Sequence, residues 1–243
     1  MYKTLIDLSD IGVTGNVHQM PFTRVELVIM SVVDDVLCVL LGKREQAPFI
    51  GQWALPGGVV RIDLDANLDA SAQRVAQERL GINVPYLKQQ CVIGGATRDP
   101  RAPWAISIVY RALTKAEEFN PTAGKRLEAL RWCPVDEAVA DNNIAFDHNQ
   151  LIQKAVTAMR NEIDRLELPF EFLPSLFTLG ELQSTCEALL GHHLDKSSFR
   201  RRIDERTLVE PVSGEMRMGA FRPAQLYQCD LSTNKINLKI NNL

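Results

Sequence analysis

Apolar positions change their spacing along the chain, and these changes predict the first strands and the first helix. Between Arg24 and Gly42, two runs of β-branched and aliphatic residues flank the polar pair Asp34-Asp35. Such a pattern predicts a β-hairpin. From Asn67 to Leu80 the apolar spacing becomes helical, with Asn67 suited to the N-cap and Gly81 suited to the position after the last turn. We expect Leu68 to share the buried face of this helix.

Three further strands and a second helix are predicted downstream. Strand-like runs occupy 87–95, 104–113 and 128–134, and apolar residues at helical spacing follow from Leu151. Asp147 with Gln150 has the form of a helix cap, so we interpret Asp147 and His148 as helix-start residues rather than as a catalytic pair. Strands alternating with helices predict a mixed α/β sandwich.

The pattern changes again after residue 168. Pro169 and Pro174 lie in an apolar stretch, and proline both ends a helix and stiffens a connector. We therefore place a domain boundary here, with residues 1–168 in the first domain and 169–243 in the second.

The second domain has the pattern of a winged helix-turn-helix. Thr178 and Glu181 have the form of a capping box for one short helix, and Asp195 is an N-cap for the next. Two short capped helices joined by a few residues predict helix-turn-helix. Strand-like runs at 208–211 and 225–228 flank an arginine-bearing segment, which predicts a wing.

The start of the second helix in this pair is rich in basic and hydroxyl side chains. These side chains suit phosphate contacts and the reading of base edges in the major groove. A basic run alone is most often a solvated surface, but within a capped helix pair followed by an arginine-bearing hairpin we favour DNA binding. The predicted DNA-binding residues are Lys196, Ser198, Arg200, Arg201, Arg202, Arg217 and Arg222.

Composition limits the class of protein. The chain has 243 residues, of which 46% are hydrophobic and 23% charged, as in ordinary soluble proteins. Its net charge of −3 means that a nucleic-acid site requires a local basic patch. The first 20 residues lack a signal-peptide pattern, and the chain has no apolar run of about 18 residues, so we expect a cytoplasmic protein that does not bind membranes. Its five cysteines are scattered singly and predict no metal site.

The segment from Gly51 to Gly81 is the main candidate for ligand chemistry. Gly57 and Gly58 follow a proline, and we interpret them as leaving the backbone open to a phosphate-bearing ligand. Arg98 and Arg101 lie in a turn between two strands, where guanidinium groups match phosphate oxygens.

By its spacing this segment resembles the Nudix box, G-x5-E-x7-R-E-U-x-E-E-x-G-U with U an aliphatic residue. Arg74, Glu78, Gly81 and Ile82 match the pattern, but Ala66, Val75 and Arg79 replace its other acids, and the spacing from Gly58 to Arg74 is two residues longer. Magnesium requires several oxygen ligands in near-octahedral geometry. We therefore interpret Glu78 as a remnant of the box that forms a helix ion pair with Arg74. We expect this segment to bind no metal and to contain no catalytic residue.

The order of motifs resembles that of the Nudix-related transcriptional regulators of NAD metabolism. The motifs are WALPGG, the altered box, AFDH at 145–148, SFRRR at 198–202 and RPAQLY at 222–227. The resemblance implies a Nudix-like α/β/α sandwich that senses ADP-ribose or a related nucleotide or sugar phosphate, and a winged helix that binds double-stranded operator DNA. It implies a homodimeric repressor that is not an enzyme. The predicted ligand-binding residues are Arg44, Trp53, Gly57, Gly58, Arg98 and Arg101.

Two other hypotheses remain open at this point. A working Nudix pyrophosphatase with an accessory C-terminal domain requires Glu78 and carboxylates of the lengthened loop, from Asp63, Asp65 or Asp69, to hold Mg²⁺. The other hypothesis is a protein-interaction module in which neither the ligand site nor the DNA site works. We expect no cofactor, and Mg²⁺ only under the hydrolase hypothesis.

Overall fold

The strands that precede residue 135 form one seven-stranded sheet with β1 near its centre. The computed structural model describes residues 20–217 and 223–229. Along the chain the elements are β1 (Phe22–Val33), β2 (Val36–Arg44), β3 (Trp53–Ala54), β4 (Gly57–Val59), α1 (Leu68–Leu80), β5 (Lys88–Gly95), β6 (Ala105–Leu113), β7 (Leu127–Pro134), α2 (Val135–Ala140), α3 (His148–Asp164), α4 (Leu179–Leu190), α5 (Lys196–Arg206), β8 (Val209–Arg217) and β9 (Ala224–Cys229).

Pairing within the sheet brings distant segments side by side. Strand β1 is antiparallel to β2 and β4 and parallel to β6, while β7 pairs with β2 and β5 with β6. Asp34 and Asp35 both have positive φ, 49° and 63°, as the tight turn between β1 and β2 requires. The predicted hairpin is confirmed.

The sheet has a helical layer on each face. Alternate residues of β1 point to opposite faces, so Leu27 packs with α1 residues such as Val75, whereas Val28 packs with α3 residues such as Ile152. The predicted α/β/α sandwich is therefore confirmed. The sequence pattern did not predict the short helix α2 that follows β7.

Helix α1 has the predicted caps. The Asn67 side chain accepts from the Ala70 N–H at 2.8 Å, and Gly81 adopts the left-handed conformation with φ of 71°. Leu68 is 37% exposed, so its placement on the buried face was wrong. Leu68 is the first residue of α1, and the buried residues of this helix begin at Ser71.

The C-terminal helices form a winged helix that shares its core with α3. Both bonds of the Thr178–Glu181 capping box are present, and Asp195 accepts from the Ser198 N–H at 2.8 Å. Strands β8 and β9 pair as the predicted wing. Buried residues of α4 and α5, among them Leu182 and Ile203, belong to the same apolar cluster as the α3 face. Over residues 20–217 and 223–229, no helix is long and apolar enough to cross a membrane.

Candidate ligand cleft and DNA-binding surface

A buried arginine occupies one of the acidic positions of the Nudix box. Arg79 donates from Nε to the Gly57 carbonyl and from Nη1 to the Lys125 carbonyl, both at 2.8 Å. Glu78 lies beside two cations, with Arg74 Nη1 at 3.6 Å and Lys125 Nζ at 3.9 Å. The predicted pairing of Glu78 with Arg74 is therefore present, and the groups around this carboxylate are basic.

The carboxylates of the lengthened loop are already paired. Asp65 accepts two bonds from Arg74, at 2.6 and 2.8 Å, and this hydrogen bonding lowers the pKa of Asp65 to about 2. Asp63 pairs with Arg61 at 2.6 Å, and Asp69 accepts from the Tyr110 hydroxyl at 2.6 Å.

This donor set does not fit a magnesium ion. Mg²⁺ needs several oxygens arranged around one point. Within the described ranges, no three His, Cys, Asp or Glu side chains are grouped so that they could hold a metal. The hydrolase hypothesis therefore requires Glu78 and the loop carboxylates to leave their present partners.

The glycine pair is packed against side chains. Gly57 and Gly58 lie in β4 opposite Glu26 and Val25 of β1. A Cβ on Gly58 would lie 2.8 Å from Val75 Cγ2, and one on Gly57 would overlap the Glu26 carboxylate. Our interpretation that these glycines leave the backbone open to a phosphate is wrong for this face, because Val75 and Glu26 cover it.

Three arginines surround the ring of Phe146. The guanidinium carbons of Arg44, Arg101 and Arg24 lie 4.9, 5.5 and 6.0 Å from the ring centroid, within cation–π range. The Phe49 ring meets Phe146 edge-on at 4.8 Å. We call Phe146 with these three arginines and Arg98 the arginine cleft.

Arg98 and Asp147 close one side of the arginine cleft. Arg98 donates two bonds to the Asp147 carboxylate, at 2.6 and 2.8 Å, and a third to the Ile93 carbonyl at 2.9 Å. Asp147 is the residue before α3, as predicted, but its side chain makes no capping bond. The predicted capping role is wrong because Arg98 takes both carboxylate oxygens.

Arg44 gives the arginine cleft its surplus of positive charge. It donates to the carbonyls of Pro48 and Gln46, and in the described part of the chain no carboxylate lies within 4.0 Å of it. Burial, with Arg101 and Arg24 nearby, lowers the pKa of Arg44 to about 10, so it stays charged at neutral pH. An anionic ligand would satisfy this charge.

A buried Glu26–His148 pair forms the floor of the arginine cleft. The Leu55 N–H donates to His148 Nδ1 at 2.9 Å, and burial lowers the pKa of His148 to about 3, so the ring is neutral with its proton on Nε2. Burial raises the pKa of Glu26, which accepts from Arg24 at 2.7 Å. Its Oε2 lies 3.8 Å from His148 Nε2 and has no hydrogen-bond partner among the described residues.

The structure brings half of the predicted ligand-binding residues together. Arg44, Arg98 and Arg101 converge in the arginine cleft, whereas Trp53 lies in β3 under the Arg131 guanidinium, 4.3 Å from its ring. Sequence reasoning missed Arg24, Glu26 and Phe146 as parts of this site. Glu26 carried a usable signal, because a carboxylate in a run of aliphatic strand residues must be buried with a partner.

The predicted DNA-binding residues divide into three groups. Lys196, Ser198, Arg200 and Arg201 are exposed at the start and on the outer face of α5. Arg202 is half-buried and donates to the Asp164 carbonyl of α3, and Arg217 lies 3.4 Å from the Glu181 carboxylate. Arg222 lies outside the described residues. Contacts of these side chains with DNA stay predictions.

Comparisons with known proteins match both parts of the chain. The NUDIX domain model matches residues 23–155, and the model of the NrtR DNA-binding winged helix domain matches residues 169–229. The chain is 38% identical to the ADPR responsive transcriptional repressor NtrR of Acinetobacter baylyi over 217 residues. This alignment covers 89% of this chain and 85% of that protein. The chain belongs to the NrtR family of Nudix-related transcriptional regulators.

Solved structures of NrtR proteins have the same architecture. Shewanella oneidensis NrtR complexed with a 27mer DNA is 32% identical, with a TM-score of 0.71 over 88% of this chain and 95% of that one. The NUDIX domain of the same protein, complexed with ADP ribose, is 27% identical, with a TM-score of 0.55 over 63% of this chain and 99% of that one. The combination of a Nudix domain and a winged helix is therefore that of NrtR.

Proposed function

We propose that this NrtR protein is a transcriptional repressor whose affinity for operator DNA is set by ADP-ribose bound in the arginine cleft. The observation that carries this proposal is the presence, in one chain, of the arginine cleft and of an exposed basic helix start in a winged helix. Its relatives are named for the same pair of properties: the Acinetobacter protein is ADPR responsive, and the Shewanella protein was crystallised with DNA and with ADP ribose.

The chemistry of the arginine cleft suits a nucleoside diphosphate. Guanidinium groups bind phosphate oxygens through paired N–H donors, and Arg44 has no carboxylate partner in the described ranges. Phe49 and Phe146 offer aromatic surface on which a base can stack. ADP-ribose carries both groups that these side chains recognise.

We also propose that the Nudix domain binds its ligand without hydrolysing it and needs no metal cofactor. Support comes from Arg79, which fills an acidic position of the box, and from the loop carboxylates, which are engaged by other side chains. Incubation with ADP-ribose and Mg²⁺ or Mn²⁺ should release no AMP, as measured by chromatography. AMP release that the Glu78→Gln variant abolishes would instead establish the pyrophosphatase alternative.

On DNA we propose that the protein acts as a homodimer in the cytoplasm. Two copies can place their α5 helices in successive major grooves, about 34 Å apart, of a near-palindromic operator. A duplex selected from a randomised library should contain an inverted repeat with that spacing. Selection of an unrepeated site, with one protomer bound per duplex in ultracentrifugation, would contradict the dimer.

Paired variants test whether the two sites are separate. Arg44→Ala should weaken ADP-ribose binding in calorimetry at least tenfold. DNA binding without ligand should stay within about twofold, because Arg44 ends strand β2 of the Nudix domain, whereas α5 belongs to the winged helix. Arg200→Ala should show the opposite pattern in fluorescence anisotropy. Lys154→Ala, which removes an exposed cation of α3 outside both sites, is the matched control. If Arg44→Ala keeps its affinity for ADP-ribose and Arg200→Ala keeps its affinity for DNA, the site assignments are refuted.

A further inference from the structure

Helix α3 spans the distance between the arginine cleft and the DNA-binding helix. At its start, Phe146 lies among the arginines, Asp147 holds Arg98, and His148 accepts from the Leu55 N–H. At its end, the Asp164 carbonyl accepts from Arg202 of α5. The helix has 17 residues, which corresponds to about 25 Å at 1.5 Å per residue.

Arg202 differs from the arginines beside it. Arg200 and Arg201 are exposed, whereas Arg202 is half-buried at the junction of α3 and α5. The last carbonyls of a helix have no partners within the helix and favour a positive charge, so the end of α3 is a suitable acceptor for a guanidinium. A guanidinium held by that carbonyl is turned away from the outer face of α5, on which a DNA phosphate would have to lie.

The junction has one further bond and an open groove. Arg160 of α3 donates from Nε to the Leu189 carbonyl, the next-to-last residue of α4, at 3.3 Å. A groove lined by Asp164, Glu167, Arg202, Glu205 and Leu208 separates the end of α3 from the end of α5. Phe199 and Ile203 attach α5 to the shared apolar core, and beside this groove Arg202 adds a polar contact from α5 to the end of α3.

We propose that Arg202 is a positioning residue rather than a DNA contact, and that its bond to the end of α3 couples the arginine cleft to the orientation of α5. The inference rests on the proposed function. A ligand phosphate competes with Asp147 for Arg98, and a ligand base competes with the arginines for Phe146, whose φ of 61° is unfavourable for a bulky residue. Both changes act on the residues that begin α3. A rigid helix with a fixed contact at each end transmits them to α5.

The test compares DNA affinity with and without saturating ADP-ribose, at several salt concentrations, for the full-length protein and its variants. In the wild type we expect the two DNA affinities to differ by about 5- to 150-fold. In Arg202→Ala this ratio should fall towards one, while ADP-ribose affinity and the salt dependence of DNA binding stay as in the wild type. In Arg201→Ala, the control on the exposed face, the salt slope should fall by about 1 and the ratio should persist.

Two further substitutions separate hydrogen bonding from charge at position 202. Arg202→Gln keeps an N–H donor but no charge, so it should recover part of the ratio. Arg202→Lys keeps the charge. If Arg202 binds a DNA phosphate, the lysine variant should bind DNA more tightly than the alanine variant, and the glutamine variant should not. Thermal denaturation establishes that each variant folds, and if the alanine variant does not, the glutamine and lysine variants alone decide between the two roles.

Different outcomes overturn different claims. If wild-type DNA affinity does not change with saturating ADP-ribose, the proposed function fails and this inference fails with it. If the wild type responds and Arg202→Ala responds equally, only the coupling role of Arg202 is refuted. A reduced salt slope with an intact ratio in Arg202→Ala would identify Arg202 as a phosphate contact and refute the inference.

Discussion

Replacing Asp147 by asparagine should change protein stability and ligand affinity in opposite directions. The substitution keeps the size of the side chain and one carbonyl oxygen but removes the charge that holds Arg98 through two bonds. It costs no helix cap, because the Asp147 side chain makes no capping bond. Arg98 then keeps the Ile93 carbonyl and one uncharged oxygen at position 147 as acceptors, in place of a carboxylate that accepts two bonds.

The size of each effect follows from the burial of the pair. Breaking a fully buried ion pair costs about 3–5 kcal/mol. The Arg98 side chain is 9% exposed but that of Asp147 is 21% exposed, so we expect the free energy of unfolding to fall by about 2 kcal/mol. A ligand phosphate no longer has to displace Asp147. If about 1.4 kcal/mol of the loss is recovered on binding, ADP-ribose binds about tenfold more tightly.

Urea denaturation and calorimetry measure the two effects on the same preparation. Asp136→Asn is the control, since it makes the same charge change at an exposed position of α2 outside the cleft, and both quantities should stay near those of the wild type. A fall in stability together with unchanged or weaker ADP-ribose binding would refute the assignment of Arg98 as a phosphate ligand. Unchanged stability would mean that the Arg98–Asp147 pair does not contribute as its geometry indicates.

Three further predictions concern DNA binding, packing and pH. Arg200→Ala should weaken binding to all DNA sequences alike and reduce the salt slope by about 1, as measured by anisotropy at several salt concentrations; a change in sequence preference without a change in slope would contradict a phosphate contact. Gly58→Ala should lower the free energy of unfolding by about 1–3 kcal/mol in urea, because its Cβ meets Val75, and adding Val75→Ala should recover part of this loss. Arg74 lowers the pKa of Asp65 to about 2, so the stabilisation from this pair is complete above pH of about 4 and disappears as pH falls through 2; the melting temperature of Asp65→Asn should vary less than that of the wild type over this interval.

Elements that depend on neighbouring residues were predictable from the sequence. The caps at Asn67, Thr178 and Asp195 bond to an N–H three positions away, so a short pattern contains both partners. The hairpin turn at Asp34-Asp35 is equally local. These are the places where the predicted and observed structures agree most closely.

The arginine cleft was only partly predictable because its contacts join distant segments. Asp147 has the sequence form of a cap, yet its carboxylate pairs with Arg98, 49 positions away. Two charge-assisted bonds to a guanidinium are stronger than one capping bond. Arg24 was overlooked because it lies in an otherwise apolar strand. The bond from Arg202 to the Asp164 carbonyl was not predictable either, because the sequence does not show which face of α5 meets α3.

Arg79 makes a conventional Nudix metal site difficult to build at this box. Its guanidinium binds the carbonyls of Gly57 and Lys125, two segments that a glutamate at the same position would repel, since carboxylate and carbonyl oxygens are both acceptors. Replacing Arg79 by glutamate therefore removes two bonds between these segments and adds only one carboxylate. A conventional metal site at this box therefore requires several coordinated substitutions, because Ala66 and Val75 also stand where acids are expected.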